Sequence, residues 1–284
     1  MRGSPASMRV LRPRSAGEAV SLLHQNPSAR PFAGGTDFMV PWNAGELNGQ
    51  SILDLSGVRE WRGIHAHKAG LSIGALVTHA ELRDSAAVRR VAPVLAQAAA
   101  AVGAEQIQNR GTIGGNIANA SPAGDTFPAL AVYGSTVRLV SAEGERNLPF
   151  LDVFTGVKRT CLKPGELLCA VEIPTARRPS RQLFRKVGTR AAMSISKLVA
   201  AGLLWTSRTG VVEELRFSLG SMAPTVRRLR AAEDFLKGQR VSDESVAKAC
   251  ALIRQDVSPI DDLRSTAEYR MRVAGNLLAS FLLG

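Results

Sequence analysis

The sequence predicts an α+β protein built from two domains. It has 284 residues, which at about 150 residues per domain corresponds to two domains. Hydrophobic residues make up 45% of the chain and charged residues 21%, which is typical of a globular protein and excludes a disordered one. Strand and helix patterns follow one another in mixed order, which favours α+β over the strict alternation of a doubly wound sheet. Residues 175–180 contain two arginines and Pro179 and predict a linker between the domains.

The N-terminal part begins with a predicted helix. Ser15 and Glu18 have the spacing of a capping box, which predicts a helix over residues 16–26. Thr78 and Glu81 have the same spacing and predict a second helix start. Pro93 suits the first turn of an alanine-rich helix over residues 92–102, which has few polar positions and is expected to be buried. Val, Ile and Leu between turn residues predict strands at residues 30–33, 51–58, 71–77, 136–141 and 167–173.

The C-terminal part begins with a predicted hairpin. Its strands are predicted at residues 197–205 and 212–219, and residues 207–210 form the turn between them. Helical patterns dominate the rest of the chain. They predict helices at residues 227–237, 242–254 and 265–283.

Charge and composition exclude several classes of function. Lys and Arg number 36 and Asp and Glu 24, so the net charge is +12, which raises the question of an acidic partner. Aromatic residues are only 5% of the chain and the arginines form no recognised module, so we expect no nucleic-acid partner. No apolar run approaches the about 20 residues of a transmembrane helix, and the first 14 residues lack the apolar stretch of a secretory signal. We therefore expect a cytoplasmic protein without a membrane partner.

Cysteine and histidine patterns predict no metal site on this chain. The three cysteines have no regular spacing, fit a reducing compartment, and are too few for an iron–sulfur or zinc site of four thiolates. No HExxH pattern occurs, and we interpret all four histidines as ordinary surface or turn residues. These histidines are His24, His65, His67 and His79.

Two glycine-rich segments stand out as candidate ligand sites. The first glycine segment (residues 31–38) consists of Pro31, Phe32, Ala33, Gly34, Gly35, Thr36, Asp37 and Phe38. The second glycine segment (residues 109–125) includes Gly111, Thr112, Ile113, Gly114, Gly115, Asn116, Asn119 and Asp125. Glycine permits a positive φ and a close approach of backbone to a ligand, and consecutive N–H groups in such turns form anion-binding nests. The Thr and Asn side chains add hydroxyl and amide donors.

Neither segment is a standard nucleotide motif. Both lack the GxGxxG pattern of a Rossmann domain and the GxxxxGK pattern of a Walker site. Each segment alone could be a tight turn, because paired glycines often mark turns. Two such segments together suit a ligand with two phosphates. Several charge-assisted hydrogen bonds of about 1.5–3 kcal/mol each supply the about 8 kcal/mol of micromolar binding without a lysine clamp.

Both segments resemble a known family. The AGGTD of residues 33–37 and the GTIGGNIANASPAGD of residues 111–125 resemble the FAD-binding, medium subunits of the molybdenum hydroxylases, which include xanthine dehydrogenase and carbon monoxide dehydrogenase. The second motif is highly specific, whereas the first is weak alone. The resemblance covers nearly the whole chain and includes LSIGALVTHAEL, KPGELL, FRKVGTRAAMSIS and LRSTAEYR, at residues 71–82, 163–168, 184–196 and 263–270.

The resemblance implies a specific α+β architecture. A FAD-binding domain of the vanillyl-alcohol oxidase type is expected at residues 8–175, in two α+β subdomains that divide near residues 55–60. A C-terminal domain with a three-stranded antiparallel sheet and helices is expected at residues 181–284.

The resemblance also implies the residues that bind FAD. The first glycine segment would wrap the pyrophosphate, and the second would line the flavin and the pyrophosphate. Asp125 would accept from ribityl or ribose hydroxyls, Leu167 would contact the adenine or flavin region, and Lys186 would lie near the flavin and stabilise its reduced form. No catalytic residue is implied. Plainer interpretations stay open: Asp125 as a helix N-cap, Leu167 as core, Lys186 as a solvated cation and Asp37 as a turn residue.

The function implied by the resemblance is electron transfer in a xanthine-dehydrogenase-like complex. A large subunit with the molybdenum cofactor would oxidise the substrate, and electrons would pass through [2Fe–2S] clusters of a small subunit to FAD on this chain. The complex would be a heterotrimer or a dimer of heterotrimers, and basic faces of this chain would dock on more acidic subunits. We expect FAD to be non-covalent, because neither glycine segment contains His or Cys. The alternatives are a carbon monoxide dehydrogenase-type flavoprotein subunit and a stand-alone FAD-dependent oxidoreductase.

Overall fold

The computed structural model describes residues 3–175 and 177–284, so Ala176 of the predicted linker lies outside the described residues. The strands are β1 (Arg9–Leu11), β2 (Arg30–Phe32), β3 (Ser51–Asp54), β4 (Ile64–His67), β5 (Gly70–Gly74), β6 (Thr136–Ser141), β7 (Gly144–Pro149), β8 (Phe154–Gly156), β9 (Arg159–Thr160), β10 (Leu167–Pro174), β11 (Arg181–Val187), β12 (Leu198–Thr206), β13 (Val212–Gly220) and β14 (Arg227–Arg228). The helices are α1 (Ala16–Gln25), α2 (Met39–Ala44), α3 (His79–Asp84), α4 (Ala86–Val91), α5 (Pro93–Ala100), α6 (Glu105–Gln108), α7 (Ile113–Asn119), α8 (Phe127–Tyr133), α9 (Arg230–Leu236), α10 (Asp243–Leu252) and α11 (Ala267–Leu283).

The strands form three main sheets, which confirms the α+β class. The first is parallel, in the order β1–β3–β2. The second is antiparallel, in the order β4–β5–β10–β6–β7, and helices α3 to α8 lie between its strands β5 and β6 in the chain. The third consists of the long antiparallel strands β11, β12 and β13, to which β14 adds two residues at the edge. In the described part of the chain, no helix is long and apolar enough to cross a membrane.

The predicted helix starts are largely confirmed. The Ser15 hydroxyl accepts the Glu18 N–H at the start of α1. Thr78 and Glu81 form a complete capping box at the start of α3. Pro93 occupies the first turn of α5, and most apolar residues of this helix are buried, as the alanine-rich pattern predicts.

Three predicted details are wrong. The Glu18 carboxylate does not close a capping box on Ser15, because it accepts from the Arg14 N–H at 2.7 Å. The strand predicted over residues 51–58 ends at Asp54, whose carboxylate accepts from the Ser56 N–H and begins a 3-10 turn. The helix predicted over residues 227–237 begins only at Arg230, because the two preceding arginines pair with β13 as strand β14.

Strand β12 joins the C-terminal sheet to the rest of the molecule. All of its residues from Leu198 to Trp205 are buried, as expected for an apolar run that is covered on both faces. Alternate residues, including Leu203 and Trp205, pack in one core with helices α5 and α8. The intervening residues, including Ala200 and Leu204, pack in a second core with helices α9 to α11. The C-terminal sheet is therefore a middle layer between two sets of helices.

A buried ion pair fixes helix α9 against this sheet. Glu233 is 5% exposed, and its carboxylate accepts from the Phe217 N–H at 2.8 Å and from Arg228 Nε and Nη2 at 2.6 and 2.7 Å. Burial lowers the pKa of the Arg228 guanidinium, and the hydrogen bonds to Glu233 oppose that shift. Both oxygens of the carboxylate are thus occupied by buried donors of the sheet.

We predict that Glu233→Ala lowers the free energy of unfolding by about 3–5 kcal/mol, because it leaves a buried guanidinium and a buried N–H without an acceptor. Urea unfolding followed by circular dichroism measures the change. The matched control is Glu213→Ala, which breaks the exposed pair with Arg177 and should cost about 0–1 kcal/mol. Equal losses in the two variants would contradict the prediction.

Candidate functional site

The two glycine segments meet at a cleft that is also lined by the residues after β5 and by the start of β10. Its volume of about 690 Å³ lies within the about 300–1,000 Å³ of small-molecule and cofactor sites. Most of the predicted site residues line it. They are Pro31, Phe32, Ala33, Gly34, Gly35, Thr36, Asp37, Gly111, Thr112, Gly114, Gly115, Asn116, Asn119, Asp125 and Leu167.

The segments touch each other through their backbones. A Cβ atom on Gly34 would lie 1.9 Å from the carbonyl oxygen of Arg110, so no side chain fits there. On the other side of this contact, a Cβ on Gly111 would lie 3.4 Å from Thr36 Oγ1 and 3.2 Å from the ring of His79. The close approach sets the spacing of the two segments.

The first glycine segment offers a row of backbone donors. The N–H groups of residues 34–37 donate to no other residue that the structure describes. Gly35 has φ +79°, a left-handed conformation that glycine adopts without strain. Successive free N–H groups around such a residue form a nest that binds anions. The N–H groups of this segment are therefore available to an anionic ligand.

Residues 113–119 of the second glycine segment form the short helix α7. The N–H groups of Ile113 and Gly114 donate to the carbonyls of Val77 and Ala75, which follow β5, both at 2.9 Å. The Gly115 N–H donates to Thr112 Oγ1 at 3.1 Å. These three donors are consumed within the protein and are not available to a ligand. Gly114 serves packing instead, since a Cβ there would lie 2.6 Å from the Ala75 side chain.

Two side-chain amides replace backbone donors in the second segment. Asn116 Oδ1 accepts from Thr126 Oγ1 at 2.7 Å, and Asn119 Oδ1 accepts from Lys158 Nζ at 2.6 Å. Neither amide nitrogen donates to a residue within the described ranges. Because an amide has one acceptor oxygen and two N–H donors, both residues keep their donors for a ligand in the cleft that they line.

A buried ion pair closes the far end of the second segment. Asp125 Oδ2 accepts from Lys186 Nζ at 2.7 Å, and the two side chains are only 10% and 11% exposed. Lys186 also donates to the Ala101 carbonyl at 2.8 Å. Asp125 Oδ1 is buried without a partner among the described residues. Burial raises the pKa of Asp125 to about 6, although Lys186 opposes the shift.

These contacts decide between the interpretations of the acidic and basic residues. Asp125 is not an N-cap, because α8 follows Thr126, which is itself helical and makes no side-chain cap. Lys186 is not a solvated cation, and it does not line the cleft but reaches it through Asp125. Ile113 does not line the cleft either, because its side chain is fully buried in the core. Leu167 is both a core residue and part of the lining.

His79 is a lining residue that the sequence interpretation missed. It is 2% exposed, so its interpretation as an ordinary surface or turn residue is wrong. Its Nδ1 is buried without a partner in the described part of the chain. Burial lowers the pKa of the ring to about 4, so His79 is neutral at pH 7. A lone histidine has no sequence pattern that signals burial. Its position after the Thr78 cap shows only that it begins α3.

The cleft therefore combines donors for an anion with an apolar wall and carboxylate acceptors. The donors include the four N–H groups of the first segment and the amides of Asn116 and Asn119, and Arg30 adds a cation to the lining. Among the carboxylates of the described lining, Asp125 has a buried oxygen without a partner and Asp37 is exposed. Leu55, Leu76 and other apolar side chains line the remainder. Such a cleft can hold an extended ligand that carries phosphates, hydroxyl groups and an apolar ring system.

Comparison with protein families gives two adjacent matches. The family described as "FAD binding domain in molybdopterin dehydrogenase" matches residues 6–176. The family described as "CO dehydrogenase flavoprotein C-terminal domain" matches residues 183–284.

Curated relatives match over nearly their whole length. The carbon monoxide dehydrogenase medium chain of Afipia carboxidovorans is 30% identical over 96% of this chain and 95% of the relative. The glyceraldehyde dehydrogenase medium chain of Sulfolobus acidocaldarius is 27% identical over 95% of each chain. Among solved structures, reconstituted carbon monoxide dehydrogenase from Oligotropha carboxidovorans superimposes with a TM-score of 0.93 and 28% identity, over 100% of this chain and 98% of the other.

We predict that His79 makes the protein less stable in acid. Its folded-state pKa of about 4 lies below the ordinary 6.5. The stability that the neutral ring allows is therefore fully present above pH 6.5 and is lost as the pH falls toward 4. At about pH 5 the loss amounts to about 2 kcal/mol. In urea unfolding of the cofactor-free protein, His79→Leu should remove this part of the difference between neutral and acid pH. An identical pH dependence in both proteins would contradict the assignment.

Proposed function

The chain belongs to the FAD-binding medium subunits of the molybdenum hydroxylases, and from this membership we propose that it carries electrons from [2Fe–2S] clusters of a small partner subunit to a terminal acceptor. A large partner subunit holds the molybdenum cofactor and oxidises the substrate in this proposal. The xanthine-dehydrogenase-like type stays a prediction, since relatives of the xanthine and carbon monoxide types have similar identities of 29% and 30%.

The free donors of the first glycine segment carry the assignment of the FAD site. A pyrophosphate is the anionic part of FAD, and the unpartnered N–H groups of residues 34–37 form a nest of matching character. The amides of Asn116 and Asn119 add neutral donors from the opposite wall. FAD supplies the redox chemistry when bound, and the residues of the cleft supply binding, orientation and electrostatics.

Asp125 and Lys186 act as a unit in this proposal. Asp125 Oδ1 is a buried acceptor without a described partner and suits a ribityl or ribose hydroxyl. Lys186 holds the other oxygen at 2.7 Å and favours the ionised carboxylate. The charge of Lys186 thus acts on the cofactor through Asp125 rather than by direct contact. Leu167 offers an apolar surface for a ring, and Ile113 anchors α7 in the core.

We further propose that FAD is bound without a covalent link. Covalent attachment would require a nucleophilic His or Cys at the flavin, and neither glycine segment contains one. His79 is the one histidine in the described lining, and its ring is packed beneath Gly111 rather than presented on a mobile segment. Residues 8–175 and 181–284 form the two domains in this proposal, and the separate core of helices α9 to α11 supports the second.

The purified chain tests the proposal directly. We expect a flavin absorption spectrum, or its appearance on titration with FAD, and release of the flavin into the supernatant after acid precipitation. Co-expression with the neighbouring subunits should yield a complex in which substrate reduces the flavin, whereas the isolated chain should not turn over substrate. A chain that neither contains nor takes up FAD would overturn the assignment, and turnover by the isolated chain would favour a stand-alone oxidoreductase.

We predict that Gly115→Val abolishes retention of FAD. A Cβ on Gly115 would lie 2.9 Å from the capping Thr112 Oγ1, so a side chain there disturbs the start of α7 and enters the cleft. Flavin absorbance per protein after desalting measures the loss. Gly275→Val is the matched control, because Gly275 lies within helix α11 with nothing within 4 Å of its missing Cβ. Normal flavin content in the Gly115 variant would contradict the prediction.

We predict that FAD affinity falls in mild acid. The pKa of Asp125 is about 6 in the free protein, and a hydroxyl donated to its carboxylate lowers that pKa in the complex. Binding therefore favours the ionised form, so the Kd rises by about tenfold as the pH falls from about 7 to about 5. Titrations of FAD across this range should show the rise in the wild type and a flat profile in Asp125→Asn. A wild-type profile without this slope would remove Asp125 from the binding site.

A further inference from the structure

Lys158 lies where both glycine segments come together outside the cleft. It occupies the turn of the β8–β9 hairpin with φ +56°, a conformation that is uncommon for lysine. Its backbone N–H donates to the Ala120 carbonyl at the end of α7, at 3.0 Å. Its Nζ lies 2.6 Å from Asn119 Oδ1 and 3.5 Å from Asp37 Oδ1. One side chain thus joins the first segment to the second.

The contact with Asn119 sets the direction of its amide. An amide whose oxygen accepts from an ammonium group must turn its two N–H groups elsewhere. Asn119 lines the cleft, so these donors remain for a ligand. Without Lys158, the Asn119 amide could rotate and offer its oxygen, which an anionic ligand would repel.

The contact with Asp37 cancels a charge that opposes anion binding. Asp37 follows residues 34–36, whose N–H groups donate to no other described residue. Its carboxylate is 62% exposed. A carboxylate at that position repels phosphate, and an ammonium 3.5 Å away offsets the repulsion. Asp37 thereby stays compatible with an anion at the neighbouring backbone donors.

We propose that Lys158 is a positioning residue that fastens the two glycine segments around the phosphates of FAD. It acts through Asn119 and Asp37, because Lys158 itself does not line the cleft. The inference rests on the proposed function, and it assigns to Lys158 the retention of the cofactor rather than the stability of the fold. Lys158 is 49% exposed, so the fold gains little from its ion pair.

The rate of FAD release tests this role. In the FAD-loaded protein, Lys158→Met should raise the dissociation rate constant by about tenfold, the size that one charge-assisted hydrogen bond implies. Release is followed as the rise of free-flavin fluorescence after dilution. Lys158→Arg keeps the charge and should restore most of the retention. Arg159→Met is the matched control, because it removes the same charge from the same hairpin. The Arg159 side chain makes no hydrogen bond or ion pair with another described residue, so this variant should release FAD at the wild-type rate.

Two further measurements separate positioning from a structural role. The melting temperature of cofactor-free Lys158→Met should match that of the wild type. High salt should accelerate release from the wild type, because the pair is exposed, and should leave the Lys158→Met rate unchanged. Release at the wild-type rate from Lys158→Met, or equal acceleration by Arg159→Met, would overturn the role of Lys158. A wild-type chain that binds no FAD would instead overturn the proposed function itself.

Discussion

The contact between Gly34 and the Arg110 carbonyl is the constraint on which the cleft depends. The two backbones approach so closely that only a residue without Cβ fits. The first segment is held there by β2, and the second is held by the bonds of Ile113 and Gly114 to the chain that follows β5. The spacing between a row of free N–H groups and a row of amide donors is therefore set by packed backbone rather than by flexible side chains.

The C-terminal part of the chain supports the cleft from the opposite side. Lys186 on β11 holds Asp125, and the Ser221 N–H after β13 donates to the Pro122 carbonyl of the second segment at 2.9 Å. Arg270 of α11, 2% exposed, donates in turn to the Ser221 and Lys197 carbonyls. Since β12 is buried on both faces, this sheet cannot move without opening two cores. The far end of the cleft is thus a property of both parts of the chain.

The parts of this arrangement that depend on local sequence were predictable, and the parts that depend on distant contacts were not. Thr78 and Pro93 mark helix starts because caps and first turns act over a few residues. Helix α7 forms in the second segment although each of its glycines costs about 1 kcal/mol in a helix. No local pattern signals the burial of His79. Nor does any pattern link Lys158 to Asp37, 121 residues away.

The charges at the cleft explain why a chain of net charge +12 binds phosphate without a lysine clamp. Each carboxylate that lines the cleft is paired with a cation: Asp37 with Lys158, Asp125 with Lys186 and Glu166 with Arg146. These paired charges largely cancel, so oriented neutral dipoles, together with the lining residue Arg30, supply the attraction for an anion. Fixed dipoles need no reorganisation when the ligand arrives, and salt screens them less than it screens exposed ions.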